Sequence, residues 1–275
     1  MLFRSEFSMS VALTMQPARL CWRGFLLGAL ILTQGCAETP LPKPDSKPDL
    51  QAEVLRVLRE HPEVIVESVT AYQARQAAEH QTSQERTQRD KFANANPQDL
   101  IGDSPTTGSP ARSIVLIEYA DFQCPFCGNA AGALREFARK HRDEVTVVFK
   151  HLPLAELHPE ALAAARAAWA AQRQGKFWEY HDALFADQHA LNEAHYRAIA
   201  AMLKLNLKQF EADRISSAAA AAIQRDIDQA NEFGITGTPF FVMNKVPFSG
   251  AQKAEMFERY LSRSKENLNK KALTR

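Results

Sequence analysis

The stretch Cys124-Pro125-Phe126-Cys127 constrains this chain more than any other. It follows an apolar run, Ile114-Val115-Leu116-Ile117, and precedes a helix-patterned run over residues 128–142. A strand therefore delivers a pair of cysteines to the start of a helix. Two intervening residues let one helical turn bring both sulfurs together. Pro125 suits the first helical position, where its fixed φ fits and its missing N–H would be unpaired anyway. Cys124 then falls at the N-cap, facing free backbone N–H groups and the positive end of the helix dipole. Both favour thiolate over thiol, into a pKa range of about 3.5–7.5 for such sites. Cys127, one turn further in, is expected to be the buried, resolving thiol. A structural disulfide and half of a zinc site are the competing readings; the strand–CxxC–helix context favours a redox pair.

Composition narrows the alternatives. Net charge is +1, with no dense basic patch, which argues against a nucleic-acid partner. Of four cysteines, Cys21 and Cys36 lie in an N-terminal targeting segment, leaving only the CxxC pair for the mature chain. Zinc needs four ligands, and the spacing of His181 and His189 fits no zinc pattern. Gly128 stands where a c-type haem motif needs His. Neither a metal nor a cofactor is expected.

Residues 1–36 read as an export signal. Arg19 and Arg23 precede an apolar stretch over 24–32, too short to span a bilayer. Thr33-Gln34-Gly35-Cys36 resembles a lipoprotein cleavage box with Cys36 lipidated, although Leu32 lies one place too early. Cleavage after Ala37 is the alternative. Either route leads to a compartment where disulfides persist. Residues 37–48, with Pro40, Pro42, Pro44 and Pro48, read as an extended tether. Over 49–92, Leu50, Val54, Leu55, Val57 and Leu58, then Val64, Ile65, Val69 and Tyr72, recur at helical spacing. Residues 73–91 contain no Val, Ile, Leu, Met or aromatic side chain. This pattern suits a helical oligomerisation arm; packing of both stripes on the chain's own domain is the alternative. Residues 93–111, rich in Pro, Gly, Ser and Thr, read as a linker.

The main domain spans 112–265. A strand near 113–119, the CxxC helix and a strand near 145–150 form a parallel βαβ unit. A helical insertion over about 152–233 follows, then a hairpin turning at Asn244-Lys245 and a closing helix over 252–261. This order, with CPFC and Gly234-Ile235-Thr236-Gly237-Thr238-Pro239 far apart but in matching contexts, resembles the DsbA-type thiol-disulfide oxidoreductases of the thioredoxin superfamily. The expected architecture is α/β: a thioredoxin-like fold with a helical insertion between the CxxC unit and a cis-Pro hairpin, plus an N-terminal helical arm. The resemblance implies that Pro239 is cis, beside Cys124, and that the Thr238 backbone is open to an extended substrate. It implies that Glu118, six residues before Cys124, is a buried acid carrying protons for Cys127. The run 57–65 is similar to the arms of DsbA relatives that oligomerise. Phe126 replaces the His of strongly oxidising DsbA enzymes, so the disulfide should be less oxidising than DsbA's, and Phe126 offers clients an apolar contact.

These readings converge on an exported thiol-disulfide oxidoreductase. Its Cys124–Cys127 pair forms, isomerises or reduces disulfides in unfolded or disulfide-containing envelope proteins, exchanging electrons with a membrane redox partner. The bacterial periplasm is the expected location, free or anchored to the outer membrane through lipidated Cys36. The alternative is an envelope chaperone or binding module whose CxxC is a structural disulfide.

Overall fold

The computed structural model describes residues 49–273, which divide into two compact units at Pro62/Glu63. The export signal, tether and Cys36 lie outside the described residues.

In the first unit, α1 (Leu50–Glu60) starts at Asp49, whose side chain accepts from the Gln51 N–H at 3.1 Å. Arg56 pairs with Glu53 and Glu60 one turn away on either side, support worth a few tenths of a kcal/mol per pair at such exposure. Leu50, Val54, Leu55 and Val57 are all exposed.

The second unit opens with α2 (Pro62–Asn94). Its first turns expose Val64, Ile65, Val66, Val69 and Tyr72. Its other end is anchored. Phe92 is fully buried and stacks on Phe233 with ring centroids 4.4 Å apart. Gln88 donates to the Phe233 and Gly234 carbonyls, and Lys91 to the Glu232 carbonyl. The stretch expected as a linker over 93–111 holds structure instead. Asn96 caps α3 (Pro97–Ile101), with Pro97 at the first helical position and Leu100 and Ile101 buried. β1 (Thr106–Gly108) then pairs antiparallel with β3 (Val145–His151).

A five-stranded sheet runs β1-β3-β2-β4-β5, with β2 (Ile114–Ala120), β4 (Phe240–Met243) and β5 (Val246–Ser249). Only β2 and β3 are parallel, joined by α4 (Pro125–Lys140). Alternation along β2 divides the core. Ile114 and Leu116 face α4 and α10 (Ala254–Leu273), joining Leu134, Phe137, Phe241 and Phe257. Val115, Ile117 and Tyr119 face the opposite layer with Phe92, Ile101, Phe233 and Phe240. All seven β2 residues are buried, as suits a central strand covered on both faces.

The insertion supplies α5 (Ala161–Gln172), α6 (Phe177–Ala186), a 3-10 turn (Gln188–Ala190), α7 (Glu193–Met202), α8 (Leu207–Arg214) and α9 (Ser217–Glu232). Seven alanines of α5 are buried, so the neighbouring helices approach its backbone closely. Gly175 has φ +72°, a left-handed conformation that ends α5 cleanly because no Cβ opposes it. Asn244 (φ 43°) and Lys245 (φ 76°) form the tight turn between β4 and β5, both in the left-handed region that two-residue hairpins require. Lys150, at the end of β3, pairs with Asp226 of α9 at 3.1 Å in the interior, and the other Asp226 oxygen accepts the His151 N–H.

Candidate active site

β2 ends at Ala120, and Asp121 begins the connection to α4. The Asp121 carboxylate is buried and satisfied three times, accepting from the Gln123 N–H at 2.8 Å, the Leu154 N–H at 3.0 Å and the His158 ring nitrogen at 2.7 Å. It clamps the connection against the start of the insertion. Gln188 fixes the same connection from another side, donating to the Phe122 and Cys124 carbonyls at 2.8 and 2.9 Å. A Cβ at Gly128 would lie 2.1 Å from Gln188 Oε1, so a side chain there would displace this clamp.

Cys124 is the N-cap of α4, with extended backbone (φ −68°, ψ 120°), and Pro125 opens the helix. The Cys124 thiol lies 3.5 Å from the Thr238 carbonyl, and the Thr238–Pro239 peptide bond is cis. The loop of residues 236–239 therefore lies directly beside Cys124. The two cysteines are free thiols in very different environments. The Cys127 thiol donates to Cys124 and is the main cause that lowers the Cys124 pKa to about 5. Partial burial opposes this, and Thr238 together with the Cys127 and Phe126 backbone assists it. Cys127 is fully buried, and desolvation pushes its thiol far above the usual range, with the Cys124 contact and nearby Glu118 adding to the effect. One thiol is poised as thiolate and the other held as thiol.

Glu118 follows Leu116 on the face of β2 that α4 covers, which puts its carboxyl beneath the helix bearing Cys127. It is 1% exposed, with Phe149 and Phe241 as its register neighbours. Neither oxygen has a hydrogen-bond partner, and burial raises its pKa to about 8. At neutral pH it is a protonated acid within electrostatic reach of Cys127. Phe126, in the first turn of α4 after Cys124, is 60% exposed, an apolar side chain held out towards solvent.

The structure thus brings Cys124, Cys127, Thr238, Pro239 and Glu118 together, with Phe126 at the rim. Reasoning from sequence missed Asp121 and Gln188. Asp121 had a local signal, an Asp two residues before a backbone N–H it can accept, as in an Asx turn. Gln188 had none. Also unforeseen is a buried aromatic cluster behind the site, in which Phe122 packs against Phe149, Phe185, His151 and His181. Burial lowers the His151 pKa to about 4 and depresses that of His181, so both rings are neutral members of this core. No group of three or more His, Cys, Asp or Glu among the described residues is arranged to hold a metal ion.

Comparison with known proteins places this geometry. A family model described as the DSBA-like thioredoxin domain matches residues 115–262. A model of the copper resistance protein ScsC N-terminal domain matches residues 57–79. The Na(+)/H(+) antiporter NhaA 3 of Salinispora tropica is 42% identical over 137 residues, covering 50% of this chain and 21% of the antiporter. The chain thus spans about a fifth of the length of the curated relatives it matches. Among the described residues no helix is long and apolar enough to cross a membrane. A thioredoxin-like oxidoreductase from Silicibacter pomeroyi superposes with a TM-score of 0.58 at 28% identity, covering 62% of this chain and 99% of that one. A linker-deletion mutant of Proteus mirabilis ScsC has a TM-score of 0.58 at 19% identity, covering 82% and 100% of the two chains, a likeness of fold. With over half of its residues matched by the family model and the CxxC pair set against the cis-proline loop, the chain belongs to the DsbA-like thioredoxin domain family.

Proposed function

We propose that this protein is an exported thiol-disulfide oxidoreductase acting on cysteines of envelope proteins. The observation that carries the reading is the contrast between Cys124, with its pKa lowered to about 5 and its thiol 3.5 Å from the Thr238 carbonyl, and fully buried Cys127, whose thiol is pushed far up. In the oxidising direction, a client thiolate attacks Cys124 of the Cys124–Cys127 disulfide. A mixed disulfide forms, and Cys127 leaves as thiolate and takes a proton, for which Glu118 is the nearby acid. A second client thiolate attacks the client sulfur of the mixed disulfide and releases the Cys124 thiolate. The client loses two electrons and the protein gains them. In the reducing direction, the Cys124 thiolate attacks a client disulfide and Cys127, on losing its proton, resolves the adduct. A Cys124 pKa near 5 lies between about 3.5 for DsbA and about 7 for thioredoxin, which supports a disulfide less oxidising than DsbA's.

The exposed apolar stripes of α1 and the first turns of α2 support self-association through residues 49–92, the part that overlaps the ScsC N-terminal match. Side chains of this kind contribute about 1.5–3 kcal/mol each when fully buried, so several suffice for an interface. An oligomeric arm favours isomerisation by offering a shared cleft and hindering recharging by a membrane oxidase. The export signal, the periplasmic location and lipidation of Cys36 belong to the same proposal, supported by sequence pattern alone.

Insulin reduction and adduct trapping test the redox reading. Cys127→Ser should accumulate mixed disulfides through Cys124, whereas a structural disulfide would neither turn over nor trap clients. Light scattering on the mature protein with and without residues 37–72, a deletion that spares the anchored Gln88, Lys91 and Phe92, tests the arm; a monomeric full-length form at micromolar concentration would remove it.

A further inference from the structure

The polar stretch of α2 has a place in the architecture that its composition alone did not explain. Gln81, Gln84, Gln88 and Lys91 recur at three- and four-residue spacing, on the stripe that ends in buried Phe92. At its C-terminal end this stripe is bonded to the domain through Gln88 and Lys91. Towards the N-terminus no apolar side chain continues the contact. The result is a groove of about 610 Å³, lined on one side by Gln81, Gln84 and Gln88 and on the other by the loop that carries Thr236, Gly237 and Thr238. That size falls within the range of about 300–1,000 Å³ typical of ligand sites. Thr238, part of this lining, also places its carbonyl 3.5 Å from the Cys124 thiol, so the groove borders the residue that flanks the thiol.

Resting on the thiol-disulfide reading, we propose that α2 is the second wall of the client groove, and that its glutamines bind the main chain of an extended client polypeptide beside the client cysteine. Three observations select this occupant. Among the described residues, the N–H groups of Thr236, Gly237 and Thr238 donate no hydrogen bond, so the loop presents free donors to a passing chain. Gly234, Gly237 and Gly250 carry no side chain into the lining, which exposes backbone at three places on this wall. The opposite wall offers the Gln81 and Gln84 amides, each with donor and acceptor capacity, and the Gln88 amide oxygen as an acceptor, its two N–H groups being held by the Phe233 and Gly234 carbonyls; such groups pair with peptide N–H and C=O. The Gln84 amide makes no hydrogen bond within the protein and is exposed; the Gln81 amide bonds only to Glu85, one turn on. Seven residues of helix cover about 10 Å, the length of about three extended residues. The wall therefore reads about three client positions on one side of the cysteine, by shape and main chain.

The test uses the full chain carrying Cys127→Ser and two cysteine peptides. One has a photoreactive benzophenone within three residues before its cysteine, the other within three residues after it. Each is joined to Cys124 as a mixed disulfide and irradiated, and the cross-link is mapped by mass spectrometry. The expected result is that one of the two peptides cross-links within residues 81–91. Formation of the Cys124 adduct with cross-links only elsewhere, for both peptides, would overturn the groove while leaving the redox reading intact. Failure of Cys124 to form the adduct at all would overturn both. As a second readout, Gln84→Trp, which fills the groove, should slow adduct formation about tenfold more with the disulfide of an unfolded peptide than with oxidised glutathione. Equal slowing of the two would count against the groove.

Discussion

Glu118→Gln isolates the energetic consequence of burying an acid under the redox pair. Glu118 has an ordinary pKa of 4.5 when solvated and about 8 in the fold, where burial is the whole cause. Below pH 4.5 it is protonated both folded and unfolded, so folding carries no ionisation penalty. As pH rises, the unfolded chain releases a proton that the fold retains. The stability difference grows by about 1.4 kcal/mol per pH unit until pH 8, where it levels off. The contribution of Glu118 is thus most favourable below its unfolded pKa and is lost as pH rises through its folded one. At pH 7 the loss is about 3 kcal/mol. Glutamine is nearly isosteric and never ionises. Both side chains leave buried polar atoms without partners, so that cost largely cancels. Glu118→Gln is therefore expected to stabilise the reduced protein by about 3 kcal/mol at pH 7 and not at all at pH 4. Urea unfolding of both proteins across pH 4–8, followed by tryptophan fluorescence, measures this. A difference that does not change with pH, or a glutamine variant less stable at pH 7, would refute the reasoning. Because glutamine cannot donate a proton to the departing Cys127 thiolate, the oxidised form of the same variant should form mixed disulfides with client thiols about a hundredfold more slowly.

Three further outcomes follow from the geometry. Alkylation of Cys124 should rise with pH to a plateau with its midpoint near 5, and Cys127→Ala, which removes the main cause of that depression, should move the midpoint up; a wild-type midpoint above 8 would contradict the site electrostatics. Asp121→Ala removes the acceptor of three hydrogen bonds in the interior and should cost about 3 kcal/mol in urea unfolding, a loss below 1 kcal/mol showing that the clamp is dispensable. Phe92→Ala should cost about 3–5 kcal/mol and free the anchored end of α2, read as faster proteolysis within residues 73–91; an unchanged cleavage rate would show that Gln88 and Lys91 hold the helix alone.

What sequence could and could not show separates by distance along the chain. The CxxC helix and the hairpin were legible because their signals are local: Pro125 at a helix start, and short apolar runs on either side of Asn244-Lys245. The helical character of the insertion was legible for the same reason, although α8 was not separately resolved and α10 runs on to Leu273, past the expected closing point. The segment over 93–111 misled because β1 is only Thr-Thr-Gly, with no apolar alternation, and exists by pairing with β3 about forty residues later. Phe92 was equally opaque, a single aromatic ending a polar run whose partners, Phe233 and Phe240, lie far along the chain. In the site, the two cysteines announced themselves, yet what sets their chemistry did not. The burial of Glu118 depends on a sheet covered on both faces, and Gln188 reaches the Cys124 carbonyl across 64 positions. Two thiols proposed as nucleophile and resolver can be written into four consecutive residues because one helical turn relates them. The buried acid beneath them, the clamp that holds their connection and the wall proposed to face a client must come from elements the fold alone brings near. The proposed reaction is therefore written locally in this sequence, whereas what would set its rate and direction is assembled by the tertiary structure.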